Sequence, residues 1–374
     1  MEIVGRVFNL YPYRVFVSYS REDLALVDKL QQHLKSVGAL PMFDQHIKYA
    51  DRFSEEIRRQ ISYAHIFITL ITEKSKESPW VLQEIGYAMG LRVPVLPLAL
   101  DQPPAGMAGE IQAFKVDPAL EGLSTVLTPD DLSDVVKTAQ REITAMLECT
   151  EKLSARTEKI VKNAVRIYER YCKYYGPAKI RQRMAYSSFS IPKQRINNPI
   201  WEKREGLDLR GPETRELLQQ ERLIMEKHAL KGGCDLILDP YVRSSSSLNL
   251  NSNYSETEIE KIKISTRTRL ETLIDFLDSM PDELVRVVFQ EGKIEGGMHI
   301  VGDWFATEAV VPKYKGGYKQ TTFTHHAPTV LSKIEAFDNE FEEILEETNL
   351  KGKSSREAAI ETLKNILHEE SLSI

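Results

Sequence analysis

An aromatic ring and a carboxylate lie four residues apart in the stretch SPWVLQEIGYA, residues 78–88. Ser78 and Pro79 are residue types that begin an α-helix, so Trp80 and Glu84 are predicted to share one helical face. That face borders the apolar stripe with which the helix is expected to pack. A carboxylate there can hold hydroxyl groups or stabilise positive charge, and an indole can wall a ligand cleft. The alternatives are that Glu84 is a solvated residue at the flank of the helix and that Trp80 is a core aromatic.

The segments around this helix alternate between short apolar runs and stretches with helical periodicity. The run HIFITLI at 65–71 shows no polar alternation, which is typical of a strand covered on both faces. Repeated alternation of strand and helix predicts an α/β fold built on a doubly wound parallel sheet. The predicted strands cover residues 14–18, 40–43, 65–71, 93–98 and 114–116, and the predicted helices cover 20–37, 52–61, the stretch from 78, and 131–148.

Polar and aromatic side chains follow three of these predicted strands. In an open parallel sheet, ligands bind in the loops at the carboxyl ends of the strands, so these side chains are candidates for a binding site. The candidates at this edge are Ser18, Tyr19, Arg21, Phe43, Asp44, Trp80 and Glu84. Most of these residue types are also common in turns, at strand ends and on surfaces, which is the alternative explanation for them.

The composition indicates a folded cytoplasmic protein. Of the 374 residues, 42% are hydrophobic and 28% are charged, and the formal net charge is −6. At roughly 150 residues per domain, two domains are expected. The negative charge gives no electrostatic reason to expect nucleic acid or an anionic membrane as a partner. The three cysteines lack the spacing of a metal site or a disulfide framework, and no apolar segment suits a signal peptide or a membrane span.

Three motifs occur in order along the first part of the chain: VFVSYSRED at 15–23, MFD at 42–44 and SPWVLQE at 78–84. Together they resemble a TIR domain, of the prokaryotic and plant kind that cleaves NAD+, over residues 13–145. The resemblance implies a flavodoxin-like domain in which Glu84 is the catalytic glutamate and Trp80 lines the nicotinamide end. It also implies NAD+ as substrate without a separate cofactor, and a homo-oligomer in which TIR–TIR contacts complete the site. The loop QHIKYADRF lacks the RD-P-G signature of receptor-adaptor TIR domains, which argues against adaptor-like pairing.

The chemistry of NAD+ cleavage suits a carboxylate at this position. Nicotinamide leaves as a neutral molecule from a cationic bond, so no strong acid is needed. The group that needs stabilisation is the oxocarbenium-like ribose, and a carboxylate can hold the ribose hydroxyls and favour the developing charge. Ser18, Tyr19 and Arg21 in the first loop are candidates to contact the ribose or the diphosphate.

The rest of the chain carries no motif of comparable strength. Residues 1–150 are assigned to the TIR domain, 151–175 to a helical connector and 176–374 to a second, mixed α/β domain with an irregular start at 176–215. The predicted helices there cover 213–231, 255–279, 329–347 and 355–370, and the predicted strands cover 234–238, 285–289, 299–301 and 320–324.

Two stretches of this second part, 299–305 and 316–344, resemble the second half of phospholipase D-like domains. The HxK pattern is absent because Ile300 and Val301 follow His299, so the resemblance implies a degenerate, ligand-binding relative. The candidate ligand residues are Asp303, Trp304, Lys319, His325 and His326. The alternative is that these are loop and core residues of a packed domain.

The resulting hypothesis is an NAD+ nucleosidase of prokaryotic antiviral defence. Its C-terminal domain is expected to act as a sensor or oligomerisation module that responds to a nucleotide messenger or a partner protein. Two other functions remain open from the sequence. One is a non-catalytic scaffold that recruits other TIR domains, and the other is a synthase that releases an ADP-ribose-derived messenger.

Overall fold

The structure is a computed structural model, and it describes residues 12–42, 53–100, 102–103, 111, 113–141, 148–150, 153–192, 212–240, 256–290, 296–310 and 320–372. The chain divides into two compact units. Unit 1 comprises Met1–Met146 together with Thr324–Glu335, and unit 2 comprises Leu147–Phe323 and Ala336–Ile374. Over the described ranges, no helix combines the length and the apolar character that a membrane span needs.

A five-stranded parallel sheet forms the centre of unit 1, in the order β2-β1-β3-β4-β5. Its strands are β1 (Arg14–Ser18), β2 (Leu40–Met42), β3 (Ile66–Ile71), β4 (Val95–Leu100) and β5 (Phe114–Val116). Every residue of β3 and β4 is buried, because helices flank the sheet. The structure thus confirms the predicted flavodoxin-like α/β fold and its five strands, although β4 begins two residues later than predicted.

The helices of unit 1 follow the strands in the predicted order. They are α1 (Leu24–Ser36), α2 (Phe53–Tyr63), α3 (Glu73–Glu77), α4 (Pro79–Gly90), α5 (Leu123–Val126) and α6 (Pro129–Arg141). A 3-10 turn, Arg21–Asp23, precedes α1. The prediction of a helix over residues 131–148 was wrong at its end, since Glu148–Thr150 forms strand β6. These residues pair with a strand of unit 2, and that pairing overrides the local helical pattern.

Unit 2 is built on a seven-stranded sheet in the order β6-β12-β11-β10-β7-β8-β9. Its further strands are β7 (Ile180–Met184), β8 (Cys234–Leu238), β9 (Val285–Phe289), β10 (Gly297–Val301), β11 (Phe305–Val310) and β12 (Gln320–Thr324). Strands β7, β8 and β9 are parallel, whereas β10 is antiparallel to both of its neighbours, β7 and β11. This mixed sheet confirms the second α/β domain.

The helices of this second part agree well with the sequence. They are α7 (Leu153–Arg166), α8 (Cys172–Tyr175), α9 (Pro212–Gly232), α10 (Glu256–Ser279), α11 (Ala327–Glu347) and α12 (Ser355–Leu372). A π-helical turn, Ile167–Tyr171, joins α7 to α8. Helix α11 begins in the segment that is assigned to unit 1.

Strand β7 lies inside the second sheet, so the prediction that residues 176–215 are irregular was wrong at this point. Its sequence, IRQRM, does not have the apolar pattern of a buried strand, because the polar residues Arg181 and Gln182 occupy buried positions. Arg181 donates two hydrogen bonds to the carboxylate of Asp338 on α11, at 2.7 and 2.9 Å. A guanidinium can be buried when it is paired in this way, and the partner lies too far along the chain for a local pattern to reveal it.

Candidate functional site

The carboxylate of Glu84 accepts a short hydrogen bond from the hydroxyl of Ser18. The two oxygens are 2.5 Å apart, a length typical of a charge-assisted bond. Ser18 is the last residue of β1, and Glu84 lies in the second turn of α4, so the bond forms at the carboxyl edge of the sheet. The structure therefore brings two of the predicted site residues together.

Glu84 lies within the buried face of its helix rather than beside it. Val81, Ile85 and Ala88 share that face, and Glu84 itself is only 8% exposed. Helix α4 begins as predicted, with Pro79 at its first position. A buried carboxylate destabilises a fold unless hydrogen bonds compensate for the lost water. The alternative that Glu84 is a solvated flank residue is therefore excluded.

A second hydrogen bond ties together two loops at the same edge. The hydroxyl of Thr72, at the end of β3, donates to the carboxylate of Asp23 over 2.7 Å. Thr72 also caps α3, since its hydroxyl accepts from the amide of Ser75 and its own amide donates to the Ser75 hydroxyl. Asp23 is 8% exposed, so this bond is shielded from water. Nothing local in the sequence distinguishes Asp23 from a surface residue of the first helix.

Thr69 is a further polar residue that sequence reasoning missed. It pairs in register with Ser18 across β1 and β3, which places the two side chains on the same face of the sheet. Among the described side chains, its hydroxyl is buried and has no hydrogen-bond partner. Its position within the apolar run IFITLI is the signal that could have identified it, because a polar residue there is out of pattern.

The other predicted site residues of unit 1 either lie at the carboxyl edge of the sheet or fall outside the described residues. Trp80 stands in the first turn of α4 and is 36% exposed, which excludes a core role. Tyr19 and Arg21 follow β1, where Tyr19 is partly exposed and Arg21 is exposed. Phe43 and Asp44 lie outside the described residues.

The sequence profile of the TIR domain family matches residues 15–127. Together with the parallel sheet, this match decides the nature of the first unit. Residues 15–127 are a TIR domain. The motifs that predicted the TIR domain all fall within the matched range, and Ser18 and Glu84 meet at the carboxyl edge of its sheet.

Other comparisons add little to this assignment. Among curated proteins, no relative matches the chain. Among solved structures, a 2-desoxiribosyltransferase from Leishmania mexicana is similar at 15% identity and a TM-score of 0.22, covering 29% of this chain and 77% of that one. The likeness of the C-terminal part to phospholipase D-like domains finds no support among these matches.

In unit 2, Asp303 and Trp304 form the turn between β10 and β11 and are each 3% exposed. The indole of Trp304 stacks on Tyr171, with ring centroids 4.8 Å apart and an interplanar angle of 19°. Tyr175 lies against the same indole at 5.4 Å. The Trp304 ring therefore packs in an aromatic cluster. Lys319 lies outside the described residues.

His325 and His326 belong to unit 1 and not to the second unit. His325 meets the ring of Tyr63 edge-on, at 5.0 Å between centroids. The imidazole of His326 donates from Nε2 to the carbonyl of Arg92 and contacts the Thr329 hydroxyl through Nδ1. Burial lowers the pKa of His326 below its ordinary value. Tyr63 and Arg92 precede β3 and β4, so these histidines lie at the amino edge of the sheet, opposite Glu84.

Within the described part of the chain, no group of three or more His, Cys, Asp and Glu side chains is arranged to hold a metal ion. The residues that converge at the carboxyl edge are instead a carboxylate, hydroxyls and an exposed indole. Such a set can bind hydroxyl groups and an aromatic ring, and it can stabilise positive charge.

Proposed function

We propose that the TIR domain cleaves the N-glycosidic bond between ribose and nicotinamide in NAD+, with Glu84 as the catalytic carboxylate. The observation that carries this proposal is the buried Glu84 carboxylate, held by the Ser18 hydroxyl at the carboxyl edge of the sheet. A helix that needed only to pack would carry an apolar residue there, as it does at Val81 and Ile85. The buried charge is therefore attributed to chemistry.

The reaction requires stabilisation of an electron-poor ribose. Nicotinamide departs as a neutral ring, and the C1′ carbon of the ribose gains positive charge as the bond to nitrogen breaks. The negative charge of Glu84 favours this charge, and its oxygens are acceptors for ribose hydroxyls. Because Glu84 is shielded from water, its electrostatic effect is stronger than that of an exposed carboxylate. Water then attacks C1′ to give ADP-ribose.

The neighbouring side chains have roles that suit the rest of the substrate. The exposed indole of Trp80 offers a surface on which the nicotinamide ring can stack. Arg21, at the start of the turn before α1, supplies positive charge for the diphosphate. The bond from Thr72 to Asp23 holds the loops after β1 and β3 together, so we assign Asp23 a positioning role.

Unit 2 then serves to control the enzyme. It forms a separate compact unit with its own sheet. In this proposal a small molecule or a partner protein acts on unit 2, and copies of the TIR domain associate and complete the active site. The protein would be a cytoplasmic antiviral effector that depletes NAD+ after this signal.

The test compares Glu84→Gln with a matched control, Glu77→Gln. Both changes remove one negative charge, but Glu77 is exposed on the short helix just before α4. Purified proteins are incubated with NAD+ in dilute, concentrated and crowded solutions, and nicotinamide release is measured by chromatography. We expect release by wild type and by Glu77→Gln, and none above background by a folded Glu84→Gln.

Wild-type turnover by a folded Glu84→Gln protein would contradict the proposal. Intact NAD+ under every condition, with TIR–TIR assemblies still present, would instead identify the domain as a scaffold. Mass spectrometry of the products distinguishes hydrolysis to ADP-ribose from synthesis of a modified or cyclic derivative.

A further inference from the structure

A row of polar side chains crosses one face of the sheet in unit 2. Gln182 on β7 pairs in register with His299 on β10, and His299 pairs with Thr307 on β11. Register partners project to the same face, so the three side chains lie side by side. Each is at most 1% exposed, although neighbouring strand residues such as Ile300 are apolar. A polar row in this place needs an explanation.

Three further polar side chains meet this row. Arg156 of α7 approaches Nε2 of His299 to 2.8 Å, and the Gln182 amide nitrogen lies 3.3 Å from Nδ1 of the same ring. Ser188 accepts from that amide nitrogen at 2.9 Å and donates to Oε1 of Glu221 on α9 at 2.6 Å. The Gln182 carbonyl accepts from the Ser188 amide, which fixes the orientation of the Gln182 side chain.

The hydrogen-bond donors and acceptors of this cluster do not all have a matching partner within it. Burial and the charge of Arg156 hold the pKa of His299 well below its ordinary value, so the ring is neutral, with one donor and one acceptor nitrogen. Both nitrogens nevertheless lie within hydrogen-bond distance of donors, the guanidinium of Arg156 and the amide of Gln182. The Glu221 carboxylate also faces the ring, but its Oε1 is 3.9 Å from Nε2, too far for a hydrogen bond. One N–H of His299 is therefore directed at another donor and needs an acceptor instead.

Among the described residues, Oε2 of Glu221 and the hydroxyl of Thr307 are buried and have no hydrogen-bond partner. Burial raises the pKa of Glu221 despite the opposing effect of Arg156. Leaving such groups unsatisfied destabilises the folded state, so the fold alone would favour apolar residues here. A bound ligand or ordered water can satisfy buried polar groups that the protein itself leaves unsatisfied.

The chemistry of the unsatisfied groups indicates what would satisfy them. His299 needs an acceptor, Oε2 of Glu221 needs a donor, and the Thr307 hydroxyl can serve as either. A hydroxyl group on the ligand both donates and accepts, so vicinal hydroxyls would satisfy the cluster. Arg156 adds a positive charge, which favours a ligand that also carries a phosphate.

We propose that unit 2 binds a small, hydroxyl-bearing phosphate compound, of the ribose phosphate class, at the cluster of Arg156, Gln182, Ser188, Glu221, His299 and Thr307. This site differs from the TIR site and from the predicted candidates Asp303 and Trp304. The six side chains are at most 5% exposed, so a ligand there is enclosed. Because the site is enclosed, we expect slow association.

The test uses the full chain with four probes: ribose 5-phosphate, adenosine monophosphate, ribose and inorganic phosphate. Binding is measured by titration calorimetry and by the rise of the unfolding midpoint. We expect ribose 5-phosphate or adenosine monophosphate to raise Tm by about 5 °C at roughly 100 times Kd, and ribose or phosphate alone to bind more weakly. Stronger binding of adenosine monophosphate would identify a nucleotide as the source of the ribose phosphate group.

Two variants and a matched control locate the site. Glu221→Gln removes the acceptor at Oε2 and should weaken binding at least about tenfold. Thr307→Val keeps the side-chain shape, so it preserves the fold, and should weaken binding about three- to tenfold. Glu216→Gln makes the same charge change at an exposed position of α9 and should leave Kd unchanged.

Two results would overturn the proposal. The first is the absence of binding by wild type for all four probes at millimolar concentration. The second is binding by Thr307→Val with the wild-type Kd, which would place the ligand elsewhere even if Glu221→Gln fails to fold. Neither measurement uses NAD+ cleavage, so a failure here is distinguishable from a failure of the proposed TIR activity.

Discussion

Replacement of Ser18 by alanine tests whether the hydrogen bond at the carboxyl edge of the TIR sheet supports catalysis. The substitution removes the donor that lies 2.5 Å from Oε2 of Glu84 and leaves the backbone of β1 intact. Ser18 is 1% exposed, so water cannot freely replace the lost hydroxyl. The carboxylate then loses a partner that fixes its orientation.

The size of the effect follows from the charge of the acceptor. A hydrogen bond to a charged group contributes about 1.5–3 kcal/mol, and about 1.4 kcal/mol corresponds to a tenfold change in rate. We therefore expect Ser18→Ala to lower kcat/KM for NAD+ cleavage between about 10-fold and about 100-fold. Glu84→Gln should lower it further, to background, because the charge itself is lost.

The assay measures initial rates of nicotinamide release under the conditions in which wild type is active, with Tm recorded for each protein. Ser62→Ala is the control, because among the described residues the Ser62 hydroxyl donates to the carbonyl of Arg59 within its own helix, at 2.7 Å. An unchanged kcat/KM in a folded Ser18→Ala protein would refute the reasoning. An equal loss in Ser62→Ala would show that the effect is general rather than local.

Three other predictions follow from single contacts. Asp23→Asn should lower kcat/KM, and it should lower the free energy of unfolding by about 1.5–3 kcal/mol. In a double-mutant cycle with Thr72→Val, the losses of the two single variants should not add. Burial lowers the pKa of His228 to about 4, so the folded state resists protonation. The free energy of unfolding should therefore fall by up to about 3 kcal/mol as pH drops from 6.5 towards 4. The His228→Gln variant should lose less stability over the same pH range, measured by thermal melts, because it has no imidazole to protonate. Asp338→Asn should lower the free energy of unfolding, measured in urea, by about 3–5 kcal/mol, because the buried Arg181 loses the carboxylate to which it donates two hydrogen bonds. The double variant Arg181→Met with Asp338→Leu should restore much of this loss.

The strands and helices of the TIR domain could be predicted because each is specified by a local pattern. The run IFITLI of β3 is buried throughout, and Pro79 marks the start of α4. Since parallel strands present their carboxyl ends at one edge, the sequence also predicts that Ser18 and Glu84 lie at the same edge of the sheet. Their hydrogen bond agrees with that placement.

Other features depend on partners that are distant in the chain. Strand β7 was not predicted because the buried Arg181 is paired with Asp338, which lies 157 residues later. The tie between Asp23 and Thr72 spans 49 residues, and the return of Thr324–Glu335 to unit 1 has no local signal.

Periodicity and turn chemistry, which the sequence carries, therefore determined the strands of the TIR domain, their order and the edge at which a TIR ligand would bind. The depth of Glu84 in its helix face and the polar cluster around His299 required the folded chain, because burial and hydrogen-bond balance arise when separate segments pack together. The sequence identifies a charged residue but does not show whether its side chain faces water or a buried hydroxyl. Only the packing of the folded chain distinguishes these two environments.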